Sequence, residues 1–222
     1  PFLLILTVHE FGHYFTARWH NVKTTLPYYI PVPFVPLTIG TFGAIIRIKD
    51  TVRSNLQHFD IGLAGPLAGF VVAVAFLIYG FATLPPAEHI YTFHPEYEQY
   101  GPAYAEHVYT KEFYREQVIK EGYTVEQIPS VPDIHFGSNL LFELFTYLIS
   151  DPERVPNGRE LMHYPILFAG FLALFFTSLN LLPIGQLDGG HVVYGIFGRK
   201  GHRIIAQVAF ILMLLYSGLG TV

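Results

Sequence analysis

Two histidines four residues apart enclose a glutamate in His9-Glu10-Phe11-Gly12-His13. On a helix, positions four apart share a face, so both imidazoles can turn to one ion with Glu10 beside them. Zinc suits imidazole nitrogen, and a catalytic zinc takes three protein ligands and leaves one position for water. A neighbouring carboxylate then takes that water's proton. The same five residues would also serve a buried hydrogen-bonded cluster, or a ligand pair for a haem or quinone. The chain has no cysteine, which excludes disulfides and thiolate sites and leaves its eleven histidines as the nitrogen ligands.

Two histidines leave a ligand missing. The only acid in the third long apolar run and its exit is Asp188, within Asn180-Leu181-Leu182-Pro183-Ile184-Gly185-Gln186-Leu187-Asp188-Gly189-Gly190-His191. Pro183 and the glycines break a helix here, and irregular backbone lining a cavity can turn a carboxylate towards another helix. As a hard anionic oxygen donor, Asp188 completes a set of two histidines and one aspartate. Asp before Gly-Gly is also a common helix cap, the second role open to it.

The elements that must position these residues are apolar. Hydrophobic residues make up 51% of the 222, charged residues only 14%, and Phe and Tyr number 20 and 15. That is more apolar surface than a soluble domain of this size readily hides. Disorder is excluded by the same hydrophobicity, and a net charge of −4 without a basic block argues against a nucleic-acid partner. A spanning helix needs about 20 apolar residues. The runs predict an all-α polytopic membrane protein with about four transmembrane helices, near 1–19, 61–85, 161–183 and 204–222. The first carries His9, Glu10 and His13, and ionisable groups on a spanning helix are costly enough to mark function. No basic stretch precedes it, so it is not a secretory signal peptide, and a start at Pro1 is expected of a fragment or a processed product. Residues 140–150 are too short to span; they read as an interfacial or re-entrant helix, or as an amphipathic helix in a loop.

Alternating spans put eight Lys or Arg and four acids on one side of the bilayer, and five Lys or Arg with thirteen acids on the other. The positive-inside rule makes the first side cytoplasmic and residues 86–160 an extracytoplasmic insertion. Prolines 27, 31, 33 and 36 exclude a regular helix over 24–38. The glycines and β-branched residues that follow predict a short membrane-associated β-hairpin over about 38–49. Gly65 and Gly69 have the spacing of close helix packing, and Pro66 sets a kink.

The pairing of His-Glu-x-x-His on one apolar helix with Asn-x-x-Pro-x-x-x-Leu-Asp-Gly on a later one resembles the site-2 protease family of intramembrane zinc metalloproteases. Asn180, Pro183, Leu187, Asp188 and Gly189 match the second motif position by position. Gly62 to Gly69 resembles the glycine-rich start of the family's intervening core helix, and Gly40 to Ile46 its hairpin. The resemblance covers most of the chain. It implies a single protease domain over 1–222 with three core helices, zinc as cofactor, and an active site towards the cytoplasmic side. Residues 86–160 show no PDZ-like succession of strands, so the chain is similar to the PDZ-lacking branch found in plastids and various bacteria.

The expected function is hydrolysis of peptide bonds within or next to the spans of transmembrane protein substrates, in a bacterial inner membrane. His9, His13 and Asp188 would hold the metal and Glu10 would be catalytic. Asn180 resembles the family asparagine that bonds substrate or oxyanion; an interhelical hydrogen bond is its other reading. His191 is either a partner of the site or structural. His20, His58, His163 and His202 read as interfacial, and His89, His94, His107 and His135 as solvated in the insertion. The competing function is a non-proteolytic membrane protein, either a pseudoprotease or a metal or proton pathway. Retention of Glu10 and all three ligand positions favours the enzyme, as does the lack of a transporter-like internal repeat.

Overall fold

The computed structural model describes residues 1–31, 41–120, 122, 135–149 and 151–219, and is mostly helical. Helix α1 (Phe2–Trp19) has no proline to break it. Its buried residues Ile5, His9, His13 and Ala17 recur every fourth position with Glu10 beside them, so the polar motif lies on the inward stripe. The helix ends where His20 pairs with Asp60 at 2.7 Å. Asn21 then turns the chain with a φ of 57°, a conformation asparagine tolerates.

Strands β1 (Tyr28–Pro31) and β2 (Thr41–Ile45) form an antiparallel pair with Tyr28 opposite Ile45 and Tyr29 opposite Ala44. The pairing continues outward through a bridge between Thr24 and Ile48. Of the hairpin expected over 38–49, the described residues supply one strand. Its partner comes from the proline-rich stretch, where Pro31 sits at a strand end and an irregularity in register. The Ile39-Gly40 start of the expected hairpin lies outside the described residues. Strand β2 packs on α1.

Helix α2 (Asn55–Ala82) opens with a reciprocal cap. Ser54 Oγ accepts from the Gln57 amide at 3.1 Å, and Gln57 Oε1 accepts from the Ser54 amide at 3.2 Å. Its 28 residues reach about 42 Å. Among the described residues it is the one helix long and apolar enough to cross a membrane. It begins six residues before the expected span, because the capped polar turn at Ser54 is helical too.

The chain divides into two compact units, residues 1–76 with 169–222, and residues 77–168. The second unit holds short 3-10 turns (Ala87–Thr92, Pro95–Ala103, Leu161–His163) and helices α3 (Tyr104–Val108), α4 (Lys111–Lys120) and α5 (Leu140–Ile149). Its core gathers Ile90, Tyr97, Val108 and Phe113 under a shell of tyrosines. Helix α5 buries none of its residues, leaving Leu140, Tyr147 and Leu148 exposed. No strand occurs among the described residues of the insertion.

Helix α6 (Pro165–Asn180) starts at a proline, whose missing N–H is harmless in a first turn. Its 16 residues make it shorter than the span expected over 161–183. Helix α7 (Asp188–Leu219) breaks at Gly198, where φ is 64° and ψ −174°. Of the span expected over 204–222, the part up to Leu219 is its second arm, with Ile204, Ile211, Leu212 and Leu215 exposed along it, and residues 220–222 lie outside the described residues.

Candidate metal centre

Three side chains from two distant segments converge in the first unit. His9 Nε2 lies 3.3 Å from Asp188 Oδ2, and His13 Nε2 lies 3.3 Å from Asp188 Oδ1. The two Nε2 atoms are 3.1 Å apart. Donors about 2.0–2.1 Å from a tetrahedral zinc stand roughly 3.3 Å from one another, so these atoms have the edge lengths of a zinc ligand set. The histidines are 6% exposed and Glu10 7%, a burial that polar groups rarely show without partners.

The surroundings aim the imidazoles and the carboxylate. The Nδ1–H of His13 donates to the carbonyl of Ile61 at 2.6 Å, which turns the Nε2 lone pair inward. Gly65 of α2 faces that same ring, and a Cβ there would fall onto His13 Nε2. The spacing of Gly65 and Gly69 thus serves close packing, as the sequence predicts, but the packed surface is the two histidines. The missing side chain makes room for the imidazole.

Asp188 arrives through the turn between α6 and α7. Asn180 is the last residue of α6, Gly185 takes a φ of 56°, and Asp188 is the first residue of α7. A Cβ on Gly189 would collide with the carbonyl of Leu181, so the turn closes only with glycine there. Asp188 stands at a helix start, and its carboxylate faces the histidines.

A cavity of about 400 Å³ opens beside the three donors, lined also by Glu10, Asn180 and Gln186 and by Ala44 and Ile45 of β2. Ile46 stands beside Glu10 on the cavity wall. The Ile61 carbonyl and Gln186 escape motif reading, because one is a backbone group and the other is one polar residue in a loop. His191 also lines the cavity but stacks on His58, with ring centroids 5.7 Å apart. The donor set, its burial and the adjoining carboxylate fit zinc, and the cavity leaves space for water and a peptide.

The model of Peptidase family M50 matches residues 1–216. The chain is 29% identical over 204 residues to "Probable zinc metalloprotease EGY1, chloroplastic" of Arabidopsis thaliana, covering 88% of this chain and 28% of that one. It is 30% identical over 203 residues to the protein of that name from Oryza sativa subsp. japonica, covering 89% and 27%. It is 27% identical over 205 residues to "Probable zinc metalloprotease EGY2, chloroplastic" of Oryza sativa subsp. indica, covering 92% and 30%. The chain spans less than a third of the length of these relatives. No solved structure matches it.

Proposed function

The chain belongs to peptidase family M50, and on that premise we propose that it is a zinc endopeptidase that cuts membrane-protein substrates within or next to their transmembrane segments. The observation that carries this reading is the meeting of His9, His13 and Asp188 at zinc-like spacing beside Glu10. In it, His9, His13 and Asp188 hold the metal. Zinc, when bound, supplies a Lewis acid that polarises the scissile carbonyl and acidifies water. Glu10 takes the proton from the attacking water and passes it to the leaving amine as the C–N bond breaks. Asn180, on the cavity wall, donates its amide to the substrate or the developing oxyanion.

A helical substrate must unwind first, since its carbonyls are already bonded within the helix. Strand β2 borders the cavity, and an unwound segment can add to its edge by main-chain hydrogen bonds. The apolar α2 and the exposed apolar arm of α7 support a membrane location. The finer topology we propose is four spans with residues 86–160 extracytoplasmic and α5 lying in the interface. The location proposed is a bacterial inner membrane. A plastid membrane is the second, favoured by the chloroplastic designation of the relatives.

Incubation of the purified chain with a single-span peptide tests the activity. Cleavage should stop when zinc is chelated and return when zinc is restored. A metal or proton pathway, or a pseudoprotease, leaves the peptide whole in every condition.

A further inference from the structure

A second set of two imidazoles and a carboxylate lies within residues 77–168. His94 Nε2 and His163 Nε2 are 3.2 Å apart. Glu160 Oε2 lies 3.5 Å from the first and 3.4 Å from the second. These edges again approach the roughly 3.3 Å that separates donors around a tetrahedral zinc. Sequence reading left His94 as solvated and His163 as interfacial, and passed over Glu160.

Each donor is aimed. Glu160 is 4% exposed, and its Oε1 accepts from Tyr109 at 2.7 Å and from Tyr97 at 3.4 Å, leaving Oε2 to the imidazoles. His94 Nδ1 faces Glu96 Oε1 at 3.3 Å, the carboxylate–histidine arrangement that puts the lone pair of a metal-bound imidazole on the other nitrogen. The His94 ring stacks on Tyr97 and the His163 ring on Phe93, each with centroids 4.5 Å apart. Both imidazoles remain partly accessible, with 29% and 22% of their side chains exposed. An ion and a water can therefore reach them.

We propose that His94, Glu160 and His163 bind a second zinc, which staples the insertion. The need is physical. This unit is built of short helices and 3-10 turns, its core is small, and the chain has no cysteine with which to crosslink it. A structural metal is one way to stabilise a unit whose core is small. Zinc here would tie the segment before the 3-10 turn Pro95–Ala103 to the turn Leu161–His163, which closes the insertion.

The test is the zinc content of the purified full chain, stripped by chelator, re-equilibrated with zinc alone and freed of excess metal. Wild type should hold one equivalent more than His94→Ala/His163→Ala, and independently one more than His9→Ala/His13→Ala. The first difference bears on the second site alone, so it stands or falls whether or not the protease reading holds. Glu160→Gln keeps acceptors for both tyrosines while removing the anionic ligand. It should bind the second zinc at least tenfold more weakly with helical circular dichroism unchanged, and it decides the matter if the double variant does not fold. Equal zinc in wild type and a folded His94→Ala/His163→Ala variant, or wild-type zinc affinity in folded Glu160→Gln, overturns the proposal.

Discussion

His13 is held from three directions. The Ile61 carbonyl fixes its tautomer, Asp188 faces its Nε2, and Gly65 leaves the room its ring needs. Gly65→Ala should therefore weaken zinc binding at this centre by about tenfold or more, as loss of ligand support does, although residue 65 is no ligand. Zinc titration in the His94→Ala/His163→Ala background isolates that effect. Asn180→Ala should lower kcat by about 10² to 10³ with zinc content unchanged, the cost of losing one oxyanion donor. Steady-state kinetics beside metal analysis checks this, and a change confined to folding yield would return Asn180 to interhelical packing.

The hairpin decides the matter at the scale of elements. Successive amides along a strand point to opposite edges, so of Ala44 and Ile45 one donates towards β1 and the other away from it. Proline at the outward position should leave zinc in place and slow cleavage of several unrelated peptides alike; unimpaired turnover in that variant would make the hairpin a packing element. Its first strand was not legible in the sequence. Tyr28–Pro31 sits among prolines and has no alternating pattern, and only long-range pairing with Thr41–Ile45 makes it a strand. Helix α1 was legible, because a four-residue repeat is local. Asp188 could be found from composition, as the one acid beside a helix-breaking turn. The trio His94, Glu160 and His163 could not, apart from the three-residue spacing of its last two members, because His94 lies far away in the chain.

For the whole molecule, the topology rests on charge asymmetry. The chain has no cysteine, so single cysteines report without background. Glu98→Cys, exposed in the insertion, should react with an impermeant thiol reagent in intact cells, and Lys49→Cys, exposed beyond β2, only after lysis. The opposite pattern would invert the protein in its membrane. Five Lys or Arg and thirteen acids in the insertion carry that expected orientation, whereas the small tyrosine-rich core that folds the insertion was not legible in the sequence.

The central claim is that Glu10 acts on water beside a metal that it does not hold. Zinc content and peptide cleavage measured on the same preparations of Glu10→Gln and Asp188→Ala test it most directly. Glu10→Gln should keep its full zinc and lose about 10² to 10⁴ in rate, the usual contribution of a general base, while Asp188→Ala should lose one zinc and cleavage together. Wild-type cleavage by Glu10→Gln, or full zinc in Asp188→Ala, would contradict it.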